Sequence, residues 1–137
     1  VIHQGSTDPL ILIKVLLARG YDKTEAVDRL DAMKAAMVEY VHNNRKEAAD
    51  GLKLLPGVKE VLSKLSNIPN VVVGLVTGNL QPIAWTKMEA LGIVELFTEP
   101  RVGGFGSDFC GYDPDRAGED RAELIRIAAR RAETNSP

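Results

Sequence analysis

The sequence predicts an α/β protein with parallel strands. Within residues 70–79, NVVVGLVTGN, the segment 71–76 is aliphatic except for one glycine, which is typical of a strand buried on both faces of a parallel sheet. Helical patterns lie on both sides of this strand, and the short apolar segments 93–97 and 102–105 each fit a further strand. The order helix, strand, helix, strand implies parallel neighbours, because such connections cross over the sheet.

The N-terminal part of the chain predicts helices alone. Residues 1–7 are polar and we interpret them as a linker. Asp8 is then expected to cap a first helix, because the proline after it suits the first helical position. Asp22 and Glu25 have the spacing of a capping box, and apolar residues recur at intervals of three and four to about residue 43. We therefore expect two helices joined by a short loop.

A break in composition divides the chain. The segment 54–57, LLPG, is a natural boundary between a helical domain, residues 1–50, and an α/β domain, residues 51–137. Residues 110–118 are interpreted as an exposed loop. Three further helices are predicted in the second domain, at about residues 58–65, 80–91 and 117–132.

Composition and charge exclude some classes of protein. The net charge is −2 and basic residues are interspersed with acids, so nothing indicates nucleic-acid binding. No apolar run approaches the ~18 residues that a membrane span needs. Cys110 is the single cysteine, which suits a reducing, cytoplasmic compartment and a passive thiol without a base partner. The first residue is Val1 rather than Met, so we expect that upstream sequence is missing.

The best candidate site follows the central strand. Thr77, Gly78 and Asn79 supply a hydroxyl and fresh backbone N–H groups where a strand gives way to a helix. Ligands bind at the carboxyl ends of strands in open α/β sheets, and a helix N-terminus favours anions. The sequence therefore predicts a phosphate or carboxylate site. An ordinary corner, with Thr77 or Asn79 capping the helix, explains the same residues.

Three segments stand in order around the apolar strand: LLPGVKEVLSKL precedes it, LVTGN lies at its end, and KMEALGIVELF comes next. Together they resemble the haloacid dehalogenase (HAD) superfamily, and within it the phosphoglycolate-phosphatase-like branch. The resemblance extends over residues 5–132 and is most specific at residues 54–97. It implies a HAD-like α/β fold with a helical cap, residues 1–50, and part of a Rossmannoid parallel-sheet core, residues 51–137.

The resemblance also implies an activity, the Mg²⁺-dependent hydrolysis of a small phosphorylated metabolite through an aspartyl-phosphate intermediate. Thr77, with the N–H groups of Gly78 and Asn79, would hold the phosphoryl group. Thr7 and Asp8 would face the substrate where the core passes into the cap, although helix capping accounts for Asp8 equally well.

The family places a cation near the start of the helix after the next strand. No lysine follows Lys87, so an arginine has to fill this role. Arg121 fits best, because of its position relative to the apolar residues of the last helix, and Arg116 is the alternative. A solvated surface arginine explains either residue without a function.

Two parts of the family's catalytic machinery are absent from the sequence. It contains neither the D-x-D-G-T segment that carries the nucleophile nor the G-D-x-x-x-D segment that binds the metal. We therefore expect a fragment that lacks both the nucleophile and the Mg²⁺ ligands and has no phosphatase activity of its own. A non-catalytic binding module of the same fold is the alternative, and a dehalogenase or phosphonate hydrolase of this superfamily also fits.

The remaining motifs are weak. Residues 103–106, GGFG, fall short of a dinucleotide-binding G-x-G-x-x-G and are expected to let the chain leave a strand tightly beside the site. Residues 113–124 echo a calcium loop but place alanine and leucine where oxygen ligands are needed. His3 and His42 have no partners at metal-ligand spacing, and we assign both to the surface.

Overall fold

The structure, a computed structural model, describes residues 4–134 and confirms the α/β class. Within these residues the chain forms six α-helices and a small parallel sheet of two strands, against which α6 packs. No described helix is both long and apolar enough to cross a membrane. The elements are α1 (Asp8–Ala18), α2 (Lys23–Asn43), α3 (Arg45–Ala49), α4 (Val58–Ser66), β1 (Leu75–Thr77), α5 (Gln81–Ala90), β2 (Gly103–Phe105) and α6 (Ala117–Thr134), with 3₁₀ turns at Val94–Leu96 and Pro114–Arg116.

The two N-terminal helices pack together through apolar side chains. The predicted capping box begins α2, because Asp22 accepts a hydrogen bond from the Glu25 N–H at 2.9 Å and Glu25 accepts one from the Asp22 N–H at 3.0 Å. This box fixes the start of the long helix as the sequence predicted. The buried residues of this first core are Leu10, Ile13, Leu16, Ala26 and Leu30.

The start of α1 differs from the prediction. Thr7, and not Asp8, is the N-cap residue, and its side chain makes no capping hydrogen bond. Asp8 lies in the first turn, where its carboxylate binds residues of a distant segment. Ser6 and Thr7 are buried, so the interpretation of residues 1–7 as a linker is wrong for these two positions, while residues 1–3 lie outside the described part.

The predicted central strand is shorter and more exposed than expected. Regular strand pairing is limited to β1, with Leu75 opposite Gly103 and Thr77 opposite Phe105. Val76 is 44% exposed, so burial on both faces is wrong. Among residues 4–134, β1 has a neighbouring strand on one edge alone. Val76 instead lines an open apolar groove together with Ile125 of α6.

The apolar segment 93–97 forms a 3₁₀ turn, Val94–Leu96, rather than the predicted strand. The periodicity of a short apolar run does not distinguish a strand from a helical segment. Here the residue after the run, Thr98, forms the hydrogen bonds to Val73. The N–H of Thr98 donates to the carbonyl of Val73 at 3.0 Å, and the Thr98 hydroxyl accepts from the Val73 N–H at 2.8 Å. Ile93 and Phe97 still contribute to a second core around Val73.

The glycines of β2 allow backbones to approach each other closely. A Cβ atom on Gly104 would overlap the carbonyl oxygen of Leu124 in α6, and one on Gly106 would overlap the carbonyl oxygen of Gly78. Arg131 of α6 completes this contact, donating to the Gly103 carbonyl at 2.8 Å and forming an ion pair with the Asp108 carboxylate at 2.7 Å. The GGFG segment thus brings the end of β2 against the residues that follow β1.

Replacing Gly104 with alanine should destabilise the fold by about 1–3 kcal/mol or more, because the new methyl group forces β2 and α6 apart. The measurement is the free energy of unfolding from urea denaturation. Gly118→Ala is the matched control: nothing lies within 4 Å of its added Cβ, and in α6 it should stabilise by up to roughly 1 kcal/mol. Equal effects of the two substitutions would contradict the close approach of β2 and α6.

Candidate functional site

Three segments of backbone meet at the carboxyl end of β1. Thr77, Gly78 and Asn79, called here the TGN corner, lie between the start of α1 and the end of β2. The Asp8 N–H donates to the Gly78 carbonyl at 2.8 Å, and the Gly106 N–H donates to the Asn79 carbonyl at 2.8 Å. Gly78 leaves no room for a side chain, because an added Cβ would lie 2.7 Å from the carbonyl oxygen of Ser6.

The three backbone N–H groups from Asn79 to Gln81 already have hydrogen-bond acceptors. The Asn79 N–H donates to the Thr77 hydroxyl at 3.2 Å, and the Gln81 N–H donates to the Ser107 hydroxyl at 3.1 Å. The Leu80 N–H donates to the Asp8 carboxylate at 2.9 Å. Leu80, rather than Thr77 or Asn79, is the N-cap residue of α5.

The Gly78 N–H differs from its neighbours, since it has no hydrogen-bond acceptor among residues 4–134. The Thr77 hydroxyl accepts a hydrogen bond through its oxygen and keeps its own proton to donate. The corner therefore offers two adjacent donors, one from the backbone and one from a side chain. Such a pair suits an anion with several oxygen atoms.

The two candidate arginines differ in their surroundings. A Cβ atom built on Gly78 would lie 3.3 Å from Nη1 of Arg121, so this guanidinium reaches the corner. Arg121 has no ion pair within the described residues. Arg116 is bound to Glu119, with Nε 2.8 Å from a carboxylate oxygen, and these hydrogen bonds raise the pKa of Arg116. Of the two arginines, Arg121 thus lies beside the corner, whereas the charge of Arg116 is paired with the Glu119 carboxylate.

A second cation, Lys87 of α5, lies on the other side of Asn79. Its Nζ donates to the side-chain oxygen of Asn79 at 3.0 Å, and the amide nitrogen of Asn79 donates to the Asp8 carboxylate at 3.0 Å. The Asn79 amide therefore bridges a positive and a negative charge. Nothing in the periodicity of α5 points to this role of Lys87, because the contact depends on where Asn79 lies in space.

Two buried hydroxyl groups adjoin the corner without partners. The oxygens of Ser6 and Thr7 are inaccessible to solvent and make no hydrogen bond to any residue from 4 to 134. A buried polar group without a partner costs about 1–3 kcal/mol. Asp8, by contrast, is buried with both carboxylate oxygens bonded, so the three neighbouring residues differ sharply in how well their burial is compensated.

The described residues do not form a metal site. No group of three or more histidine, cysteine or acidic side chains within residues 4–134 is arranged to hold a metal ion. Asp8, the carboxylate at the corner, is already occupied by Asn79 and Leu80. In the segment 113–124, whose sequence does not fit a calcium loop, Asp113 accepts a hydrogen bond from the Asp115 N–H at 3.0 Å. His42 is exposed beside Arg45, and His3 lies outside the described residues.

An apolar cleft of about 530 Å³ opens next to the corner, between α2 and the start of α5. Leu80 and Pro82 form its wall on the α5 side, and Val38 lines it from α2. Lys34, Glu39 and His42 also line the cleft, from α2. The cleft thus combines an apolar lining with charged side chains of both signs, within one residue of Asn79.

This combination of a parallel β1–β2 pair, flanking helices and an anion-suited corner after β1 is what a HAD-like fold requires. A sequence model of the haloacid dehalogenase-like hydrolase family matches residues 12–102, well over half of the chain. The chain therefore belongs to the haloacid dehalogenase-like hydrolases, as the resemblance indicated. Its structure, mostly helical with a small parallel sheet, is consistent with part of the fold of that family. No curated protein is significantly similar to the chain.

Thr7→Val should leave the stability unchanged or raise it by about 1 kcal/mol, because the substitution removes a buried hydroxyl that has no partner. Thr98→Val is the matched control. Its hydroxyl accepts from the Val73 N–H, and its loss should cost about 1–3 kcal/mol. Urea denaturation of both variants measures the difference. A clear loss of stability in Thr7→Val would show that this hydroxyl has a partner in the protein.

Cys110 should react slowly with iodoacetamide. Burial raises the pKa of its thiol, and the nearby Asp120 carboxylate raises that pKa further, so less reactive thiolate is present near pH 8. The alkylation rate of the folded protein is compared with that of the same protein in denaturant. A faster rate in the folded protein would contradict the passive role of this cysteine.

Proposed function

We propose that the chain is part of a phosphatase that hydrolyses a small phosphomonoester, of the phosphoglycolate-phosphatase-like branch. One observation carries the proposal: the Arg121 guanidinium, which has no ion pair among the described residues, lies beside Gly78, whose N–H has no acceptor there. Together with the Thr77 hydroxyl, these groups form a set of donors without a bound acceptor. A phosphoryl group is the acceptor that such a set suits.

The chemistry explains why this arrangement is useful. In phosphoryl transfer, charge spreads over the equatorial oxygens, so fixed donors around them carry much of the catalysis. In the proposed reaction an aspartate carboxylate attacks phosphorus and the alcohol leaves; water then cleaves the aspartyl phosphate to phosphate. Thr77, Gly78 and Arg121 hold and neutralise the phosphoryl oxygens in both steps.

The proposed nucleophile has a defined place relative to the corner. This sequence contains no D-x-D-G-T segment to carry the nucleophile. Among residues 4–134, β1 has one edge without a neighbouring strand. A parallel strand on that edge would end level with Thr77, because carboxyl ends of parallel strands meet at the same side of a sheet. Such a strand from another part of the protein would bring its aspartate to the phosphoryl group.

Mg²⁺ dependence of the whole enzyme is part of the proposal, but the described residues do not fit this ion. They supply no set of carboxylates, and Asp8 is bonded elsewhere. Their contribution is confined to binding the phosphoryl group. The metal ligands of the proposed enzyme therefore belong to other residues.

We also propose that residues 1–50 form the cap and residues 51–137 part of the core. Two separate clusters of buried apolar residues support this division, one within α1 and α2 and one around Val73 and Phe97. The cleft between α2 and α5 lies where cap and core meet. Its apolar lining suits the organic part of a small phosphomonoester.

Arg121→Met should weaken the binding of inorganic phosphate at least tenfold, because a charge-assisted hydrogen bond is lost. The Kd is measured from the chemical shift of the Gly78 amide in a ¹⁵N spectrum during titration. Arg116→Met is the matched control and should bind phosphate like the wild type, because Arg116 pairs with Glu119. If phosphate leaves the wild-type Gly78 resonance unmoved, the corner is not the binding site.

The chain by itself should show no turnover of p-nitrophenyl phosphate with Mg²⁺, because it contains neither the nucleophile segment nor a described metal site. Turnover by this polypeptide would contradict the proposed arrangement.

The complete reading frame separates an enzyme from a non-catalytic binding module of the same fold. A D-x-D-G-T segment in that frame supports the phosphatase, and a frame without one supports the binding module.

A further inference from the structure

We propose that Asp8 is a positioning residue for the TGN corner, which it holds in its anion-binding shape through Asn79 and Leu80. This inference rests on the proposed function, since it concerns the same phosphate site. Asp8 lies 71 and 72 residues away from its two partners, in the first turn of a helix of the other proposed domain. It touches no substrate in this proposal and acts through the residues that it holds.

Because Asp8 is buried, its carboxylate requires hydrogen-bond donors inside the protein. The residue is 7% exposed, and a buried carboxylate is tolerated only when it is well hydrogen-bonded. Its two oxygens accept from the Asn79 side chain at 3.0 Å and from the Leu80 N–H at 2.9 Å, while its own N–H donates to the Gly78 carbonyl. All three bonds go to the corner or to the residue after it. The carboxylate therefore binds residues at and beside the corner and does not cap its own helix.

Asn79 transmits this constraint to the phosphate donors. Each of its four polar atoms is bonded: the side chain to Asp8 and Lys87, the carbonyl to Gly106 and the N–H to Thr77. One orientation of the amide alone satisfies an ammonium on one side and a carboxylate on the other. Because the Asn79 N–H occupies the Thr77 oxygen, the hydroxyl proton of Thr77 must point elsewhere and stays available to an anion.

Asp8 also determines which backbone donor an anion meets. The Leu80 N–H at the start of α5 would otherwise attract an anion, because helix N-termini carry partial positive charge. The Asp8 carboxylate occupies this N–H and places a negative charge there. The Gly78 N–H is left as a donor with no acceptor among residues 4–134. Asp8 thus directs the phosphate to Gly78 and Arg121 and away from the end of α5.

The test uses a reciprocal exchange of side chains. In Asp8→Asn, an amide replaces the carboxylate, so an N–H group must face either the Asn79 amide or the Leu80 N–H. We expect about tenfold weaker binding of inorganic phosphate to this variant. In the double variant Asp8→Asn/Asn79→Asp, the introduced amide donates to the introduced carboxylate, which accepts from Lys87. This variant should regain most of the lost affinity.

Two readouts separate positioning from general stability. Without phosphate, the amide resonances of Thr77 and Gly78 should shift in Asp8→Asn and return towards their wild-type positions in the double variant. Thr98→Val, which loses a hydrogen bond in the second core, controls for destabilisation and should change neither these resonances nor the phosphate Kd.

The outcomes distinguish this inference from the proposed function. Unmoved Thr77 and Gly78 resonances in Asp8→Asn, or a double variant that regains stability but not the resonance positions, overturns the positioning role. If the wild type itself does not bind phosphate, the proposed function fails. The resonances without phosphate still decide whether Asp8 shapes the corner.

Discussion

The fold depends on the absence of side chains where three backbone segments meet. Gly78 lies against Ser6 and Thr7 on one side, and Gly106 lies against Gly78 on the other. Any Cβ atom at either glycine would separate the start of α1, the end of β1 and the end of β2. The position of the first helix relative to the sheet follows from this contact.

The same contact assembles the polar groups of the candidate site. Asp8 comes from the first helix, Asn79 from the turn after β1 and Arg121 from the last helix, and each is close to Gly78. Asp8 is buried there with both oxygens bonded, whereas the buried hydroxyls of Ser6 and Thr7 have no partner within the described part of the chain. Polar groups that a core would normally exclude are thus concentrated at one point. The family match, at residues 12–102, includes the corner but neither Asp8 nor Arg121.

Local signals in the sequence predicted the elements they control. The Asp22–Glu25 capping box and the spacing of apolar residues defined α2, whereas the anion site after the apolar strand stays a prediction. The errors arose where the outcome depends on distant partners. Val76 is exposed because its side chain lines an open groove beside α6, and Asp8 leaves the capping role because Asn79 and Leu80 are within reach. Lys87 could not be recognised from its own helix for the same reason.

The separation of Asp8 from Asn79 along the chain has a consequence for folding. The helices of the first core and the turns around β1 depend on contacts between residues close in sequence, which form quickly. The corner needs residues 71 positions apart to meet, so its closure carries the entropic cost of a long loop and comes late. A folding chain therefore acquires its helices before the corner closes, so the proposed affinity for phosphate would appear when folding is complete.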